Sequence, residues 1–279
     1  MSIIQVVRPF VPASLRRIVK NLYISLEDQT ELWLGKRDAL TPPRSKIFIG
    51  GGDFKAIGQE FKRLFIEYGE LKPHHNVLDI GCGIGRMAVP LTNYLNESGS
   101  YEGIDIVKMG IDWCRKHITP RFPNFRFQQA DVYNSHYNPT GRYQAYEYQL
   151  PYPDNQFDFI FLTSVFTHMP PREIDQYLAE INRVMKSGGR CFATFFILND
   201  ESRRLMTSPE SVYNFKHAVD GRYVHSTDDP DICSAVDETV LRAMLSSNNL
   251  TSLDPILYGT WCSRKDGISF QDIVLIEKL

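Results

Sequence analysis

One ten-residue segment limits the possible folds of this chain more than any other feature. It runs from Val77 to Arg86 and reads VLDIGCGIGR, an apolar run that ends in Asp79 and is followed by three glycines separated by single residues. Glycine adopts positive φ at little cost and lets a ligand approach the backbone closely. The segment therefore predicts a tight turn from a buried strand into a helix, of the kind that binds a dinucleotide or another nucleoside cofactor.

Short apolar segments and helical patterns alternate on both sides of this turn. A helical stripe precedes it, formed by Ile57, Phe61, Leu64, Phe65 and Tyr68. The segments typical of buried strands are NVLDI, EGIDI, FRFQQ, FDFIFL and RCFATFF. Because buried strands that alternate with helices form parallel sheets covered on both faces, the chain is predicted to be an α/β protein with a doubly wound parallel sheet.

The second half of the chain adds one well-marked helix and a terminal hairpin. The helix is predicted to begin near Pro170–Pro171 and to end before Gly188–Gly189. Its apolar face comprises Ile174, Tyr177, Leu178, Ile181 and Met185. The chain closes with DPILYGTWC and FQDIVLIEKL, and no helical pattern separates these strand-like segments. Since such a pair must form a hairpin, the last strand is predicted to be antiparallel in an otherwise parallel sheet.

Composition narrows the class of protein. The 279 residues are 43% apolar, enough for one large core with additions. The net charge of −2 gives no general field for a polyanion, so nucleic acid is not an expected partner. The five cysteines never form a CxxC pair, and the apolar N-terminus is too short and interrupted for a signal peptide or a membrane span. We therefore expect a reduced, soluble, cytoplasmic protein without stable membrane insertion.

Three acids at successive predicted strand ends favour one cofactor over another. Asp79 stands two residues before the glycines, where a carboxylate would repel a pyrophosphate and suit a cationic ammonium group. Asp105, at the end of EGIDI, is placed to accept both ribose hydroxyls. Asp131 ends the following strand and is placed to reach an adenine amino group, with Val132 supplying a backbone contact. Together with the antiparallel final strand, these acids favour S-adenosylmethionine over NAD.

Each of these residues also has a structural explanation. Asp105 would cap a helix that starts near Val107, a role compatible with ribose binding. Asp131 would serve as a turn or capping residue. Cys82, inside the loop, is expected to be a small space-filling side chain rather than a nucleophile.

The motifs together resemble the class I S-adenosylmethionine-dependent methyltransferases, over a span from about Ile49 to Leu279. VLDIGCGIGR resembles the family's first motif, and EGIDI, ADVYN, PYPDNQFDFIFLTSVFTHM and LAEINRVMKSGGRCFATFF follow in the family's order. The resemblance implies a Rossmann-like, mostly parallel seven-stranded sheet with an antiparallel last strand, to which this chain adds an N-terminal helical lid. It is nearest to bacterial small-molecule methyltransferases that modify hydroxyl groups on sugars or specialised metabolites.

The resemblance and the strand ends define the expected cofactor site. Thr163 and Ser164 leave the fourth strand and are expected to contact the amino-acid part of the donor. The full expected set is Asp79, Gly81, Cys82, Gly83, Gly85, Arg86, Asp105, Ile106, Asp131, Val132, Thr163 and Ser164. No metal is expected, because the acids and histidines lack ligand spacing.

The chain is predicted to divide into an N-terminal helical extension, residues 1–48, and a methyltransferase domain, residues 49–279. Residues 133–152 and 197–236 are expected to be insertions that face the acceptor. Within the extension, the sequence predicts a basic amphipathic helix from Leu15 to Leu26. The favoured interpretation is that this helix covers the active-site mouth or forms a homodimer interface, and the alternative is that it binds a membrane surface. Gly50–Gly52 before a helix capped by Asp53 indicate either a hinged flap over the cofactor or a linker.

The candidate general base is His168, which follows FDFIFLTSVF at the ligand edge of the sheet. The alternative is a histidine that only orients this loop. Rival bases are His217 and His225 in the second insertion. The expected acceptor-binding residues are Tyr133, His217, His225, Tyr258 and Trp261.

The predicted function is transfer of a methyl group from S-adenosylmethionine to a small-molecule acceptor, at a hydroxyl of a sugar or specialised metabolite. N-methylation of a small-molecule amine is the alternative within the same class, because amines need little help from a base. A non-catalytic S-adenosylmethionine-binding interaction protein is the alternative from another class.

Overall fold

The computed structural model describes residues 28–30, 33–34 and 38–279. The amphipathic helix expected from Leu15 to Leu26 lies outside the described residues, and so does most of the extension assigned to residues 1–48. The division at residue 48 therefore stays a prediction. Within the part of the chain that the structure describes, no helix is long and apolar enough to cross a lipid bilayer.

Residues 38–279 contain eleven strands and six complete α-helices. The strands are β1 Asn76–Ile80, β2 Ser100–Asp105, β3 Phe125–Gln129, β4 Phe157–Leu162, β5 Met185–Phe195, β6 Ile197–Leu198, β7 His217–Val219, β8 Arg222–Val224, β9 Ser234–Asp237, β10 Leu250–Leu257 and β11 Asp272–Lys278. The helices are α1 Phe54–Glu67, α2 Ala88–Leu91, α3 Lys108–His117, α4 Pro171–Val184, α5 Asp200–Leu205 and α6 Glu238–Ser247.

The main sheet has seven strands in the order β10-β11-β5-β4-β1-β2-β3. Its central strands pair in parallel, whereas β11 is antiparallel to both β5 and β10. This confirms the predicted Rossmann-like, mostly parallel seven-stranded sheet with an antiparallel last strand. Helices cover both faces, and two separate apolar clusters form the core, one on each face of the sheet.

The alternation of side chains along the strands explains these two clusters. In β1, Leu78 and Ile80 join one cluster and Val77 joins the other, because successive side chains point to opposite faces. Phe65 of α1 packs on Phe161 with ring centroids 4.4 Å apart, which attaches the predicted helical stripe to the sheet. Asp53 caps this helix by accepting a hydrogen bond from the Ala56 amide (2.7 Å), as predicted.

The boundary between α4 and β5 differs from the sequence prediction. The apolar face of the helix was expected to include Met185, but the helix ends at Val184, and Met185 begins the strand and pairs with Phe157. Gly188–Gly189 lie past the end of the helix, as predicted, and within β5. The register of β4 and β5 shifts between Phe157 and Phe159, and this irregularity accommodates the glycines.

The segment 197–236, expected only as an insertion, forms a second sheet in the order β6-β9-β8-β7. Its short strands leave little periodicity for sequence analysis to detect. A third apolar cluster, which includes Phe196, Phe215 and Trp261, packs this second sheet against the loop between β10 and β11. The second sheet thus continues directly from β5 and extends the protein beyond the carboxyl edge of the main sheet.

Candidate functional site

A cavity of about 690 Å³ lies at the carboxyl edge of the main sheet, a volume within the usual range of small-molecule sites. Two groups of residues line it. The glycine-loop side consists of Gly81, Cys82, Asp105, Ile106, Ala130 and Val132. The second-sheet side consists of Thr167, His168, Glu173, Tyr177, Phe196, Tyr213, Asp231 and Phe270. Thr163 and Ser164, at the end of β4, also line the cavity.

The glycine loop needs its glycines for both conformation and space. Gly81, Gly83 and Gly85 have φ of +85°, +56° and +82°. A Cβ on Gly81 would lie 2.3 Å from Val165 Cγ2, and one on Gly83 would lie 2.7 Å from Ile49 Cγ2. The amides of Gly81 and Cys82 both donate to the carbonyl oxygen of Ile104, at 2.8 and 3.1 Å, which holds the loop against β2.

Asp105 joins the glycine loop to the start of α3. Its Oδ2 accepts a hydrogen bond from the Gly83 amide (2.7 Å), and its Oδ1 accepts one from the Val107 amide (2.7 Å). Burial raises the pKa of Asp105, and the backbone amides oppose that shift. These contacts are the ones expected if Asp105 caps α3. Asp105 also lines the cavity, and each of its carboxylate oxygens can accept one further hydrogen bond from a ligand.

Asp79 lies behind the loop rather than in the cavity wall. It is fully buried on β1, and its Oδ2 accepts a hydrogen bond from the Tyr101 hydroxyl. Its Oδ1 has no hydrogen-bond partner among the described residues. Burial raises the pKa of Asp79 well above its usual range, and the hydrogen bond from Tyr101 only partly offsets this. Oδ1 of Asp79 is therefore a buried acceptor without a partner among the described residues, at the end of the strand that leads into the glycine turn.

The structure gives Asp131 and Arg86 local partners. Asp131 accepts a hydrogen bond from the Arg142 amide (3.2 Å) and pairs with Arg142 Nε (3.5 Å), so its contacts are those of the turn alternative, and it does not line the cavity. Arg86 is buried in the cavity wall, where its Nη2 donates to the carbonyl oxygens of Ile49 and Gly50, both at 2.8 Å. Arg86 therefore attaches the glycine segment 50–52 to the cofactor loop.

His168 occupies a 3-10 turn after β4 and lines the cavity. Its Nδ1 is 3.0 Å from the carbonyl oxygen of Asp231. Because a carbonyl oxygen only accepts, Nδ1 must carry the proton, and in the neutral ring Nε2 then holds a lone pair. The contact both orients the ring and selects the tautomer that a general base requires.

Only one of the five predicted acceptor-binding residues lines the cavity. Tyr133 lines the cavity and is exposed at its mouth, but His217, His225, Tyr258 and Trp261 do not line it. Trp261 is fully buried and donates to Asp272 (2.8 Å), and the Tyr258 hydroxyl donates to Glu238 (2.8 Å). Trp261 belongs to the third apolar cluster and Tyr258 is bound to α6, whereas His225 is exposed to solvent.

Sequence analysis missed several cavity residues. Glu173 and Tyr177 lie one turn apart on α4. Tyr213 lies in the predicted insertion 197–236 and Phe270 at the start of the predicted last strand, but neither was named as a site residue. The four-residue spacing of Glu173 and Tyr177 was a usable signal, since residues at i and i+4 share a helix face. Among the described residues, no group of three or more His, Cys, Asp or Glu side chains is placed to hold a metal ion.

Comparison with known proteins adds independent information on this site. Residues 77–189 match a family model described as a methyltransferase domain. The chain is 26% identical to the uncharacterized methyltransferase YcgJ of Bacillus subtilis over 226 residues, which cover 78% of this chain and 73% of YcgJ. It is 29% identical to the ubiquinone/menaquinone biosynthesis C-methyltransferase UbiE of Teredinibacter turnerae over 164 residues, 57% of each chain.

Solved structures show the same fold at low sequence identity. The PH0226 protein of Pyrococcus horikoshii has a TM-score of 0.55 at 16% identity, covering 84% of this chain and 95% of that one. The CcbJ methyltransferase of Streptomyces caelestis has a TM-score of 0.51 at 14% identity, covering 79% of this chain and 89% of that one. The family match spans the strands and loops that form the glycine-loop side of the cavity.

Proposed function

Because this chain is a class I S-adenosylmethionine-dependent methyltransferase, we propose that it methylates a hydroxyl group of a small-molecule acceptor, with His168 as the general base. The observation that supports the base is the hydrogen bond from His168 Nδ1 to the Asp231 carbonyl oxygen, on the wall of the cavity. It leaves Nε2 as the ring nitrogen that accepts a proton.

The glycine-loop side fits the methyl donor. Gly81 and Gly83 form a turn with no side chains in the way, Asp105 retains lone pairs on the cavity wall, and the buried Asp79, at the end of the strand that leads into this turn, has an Oδ1 without a partner among the described residues. Asp105 would hold the ribose hydroxyls, and Asp79 would favour a cationic group above the turn. Ile106, Val132, Thr163 and Ser164 would complete the contacts. When bound, S-adenosylmethionine supplies a methyl group on a positively charged sulfur.

The protein has two further tasks in this reaction. The first is to align the acceptor, for which the largely aromatic second-sheet side provides rigid apolar walls that exclude water. The second is to take up the hydroxyl proton, which His168 does at Nε2 while Nδ1–H stays bonded to Asp231.

The test is to incubate the protein with methyl-labelled S-adenosylmethionine and an extract of the source organism, and to identify labelled products by mass spectrometry. We expect an O-methylated small molecule. His168→Ala should lower the rate of labelling by about 100-fold or more and leave the dissociation constant of S-adenosylhomocysteine within about twofold, since a base acts only on the acceptor. His74→Ala is the matched control, because His74 is exposed and outside the cavity wall.

Two outcomes would contradict the proposal. A product methylated on nitrogen would make the protein an N-methyltransferase, and the absence of any labelled product would favour a non-catalytic binding protein. An unchanged rate in His168→Ala would leave His168 with a loop-orienting role only.

A further inference from the structure

Three polar side chains on the second-sheet side of the cavity have no hydrogen-bond partner among the described residues. Glu173 and Tyr177 lie one turn apart on α4, both line the cavity, and neither side chain makes a hydrogen bond or a close ion pair with any described residue. Tyr177 is only 6% exposed. Thr167, next to His168, is 1% exposed, and its hydroxyl also has no partner. Glu173 is half-buried, whereas Tyr177 and Thr167 are buried. Because polar groups inside a protein are normally satisfied, a ligand in the cavity is the natural partner for these three side chains.

The negative charge of Glu173 is not fully balanced by nearby positive charges. Burial raises the pKa of Glu173, which Arg222 opposes and Asp231 reinforces. Arg222, which does not line the cavity, binds the carboxylate of Asp231 through Nη2 at 2.6 Å and has no partner for Nε and Nη1 among the described residues. Arg86 lines the cavity and donates through Nη2 to backbone carbonyl oxygens. Two carboxylates therefore share one guanidinium on this side, and an anionic ligand would add a third negative charge.

Aromatic rings also line the second-sheet side of the cavity. Phe196 packs on Tyr213 and Phe270 with ring centroids 5.1 and 6.1 Å apart, and all three residues line the cavity. Such walls favour a flat or otherwise apolar body in the acceptor. Aromatic faces also attract cations.

With the proposed function as its basis, we infer that the acceptor carries a protonated amine in addition to the hydroxyl that is methylated. The amine binds the Glu173 carboxylate and the Tyr177 hydroxyl, which supplies the donors that these side chains lack. The apolar body of the acceptor packs against Phe196 and Tyr213, and its hydroxyl lies at His168. The substrate class is thus an amine-bearing, aromatic or apolar alcohol, and carboxylate-bearing analogues are rejected.

A simpler role for Glu173 makes a different prediction. Glu173 lies in the first turn of α4, where a carboxylate interacts favourably with the helix dipole. If this were its sole role, Glu173→Gln would lower the melting temperature without changing any preference between ligands.

The experiment compares two probes of the same shape and opposite charge, tyramine and 3-(4-hydroxyphenyl)propanoate. Each is titrated by calorimetry into protein saturated with S-adenosylhomocysteine. We expect tyramine to bind at least about tenfold more tightly, and Glu173→Gln to bring the two affinities within about twofold of each other. Asp175→Asn removes the same charge from an exposed position of α4 and should keep the wild-type preference. Tyr177→Phe should weaken tyramine binding alone, and it serves as the test if Glu173→Gln fails to fold.

Three results would overturn the inference: equal binding of both probes, binding of neither at millimolar concentration, or an amine preference that survives both Glu173→Gln and Tyr177→Phe. The first titration, of S-adenosylhomocysteine into the wild-type protein, separates this failure from a failure of the proposed function. If that ligand does not bind, the proposed function fails, whereas binding without an amine preference overturns the acceptor class alone.

Discussion

The two sides of the cavity differ in how their polar groups are held. On the glycine-loop side, Asp105 is bound by two backbone amides and the loop is bound to β2, so its geometry is set before any ligand arrives. On the second-sheet side, Glu173 and Tyr177 have no partner among the described residues. A preorganised side suits a ligand that is the same in every reaction cycle. A side with unpaired polar groups suits selection among acceptors, because it favours only those ligands that form hydrogen bonds with these groups.

The largest expected effect tests how the second-sheet side is anchored. Asp272 is fully buried and accepts hydrogen bonds from the amides of Ile197 and Gly259 (both 2.7 Å) and from Trp261 Nε1 (2.8 Å). Burial raises its pKa from 3.8 to about 6. A carboxyl whose folded-state pKa is raised stabilises the protein most below its unfolded pKa and loses that contribution as the pH rises through about 6.

Asp272→Asn should therefore remove a decline in the free energy of unfolding of up to about 3 kcal/mol between pH 4 and pH 7. Urea unfolding of both proteins across this range measures it. Asp175→Asn should retain the wild-type slope. A slope that persists in Asp272→Asn would show that other groups control the pH dependence.

The next effect concerns the glycine-loop side. Asp105→Ala removes the acceptor for the Gly83 and Val107 amides and the proposed ribose ligand, so S-adenosylhomocysteine should bind about 1.5–3 kcal/mol more weakly by calorimetry. Asp131→Ala is the comparison, because Asp131 pairs with Arg142 outside the cavity wall and its loss should change affinity little. An equal loss in both variants would support the adenine contact that the sequence predicts for Asp131.

The smallest expected effect tests whether Gly50–Gly52 form a flap over the cofactor or only a linker. Arg86→Met keeps a long apolar stem but removes the donors to the Ile49 and Gly50 carbonyl oxygens. Loss of these bonds should weaken S-adenosylhomocysteine binding by about 1 kcal/mol and increase proteolysis near Gly50–Gly52. Arg63→Met, at an exposed ion pair on α1, should do neither. Unchanged affinity would mean that the segment is a linker.

The glycine-loop side could be recognised from the sequence because its interactions are local in pattern. VLDIGCGIGR and EGIDI each contain a buried strand and the residue that ends it, and parallel strands bring those ends to one edge. The Asp53 cap and the terminal hairpin were predictable for the same reason. The exact end of α4 was not, since Met185 satisfies both a helical and a strand pattern.

The sequence by itself determined the fold class, the core strands along the chain and the glycine turn, because strand periodicity and glycine conformation are properties of short segments. Only the tertiary structure decided the second-sheet side of the cavity. His168 meets Asp231 across 63 positions, Trp261 is directed into the core and Glu173 into the cavity. Such contacts depend on how the second sheet packs beside the first, and no local pattern records that packing.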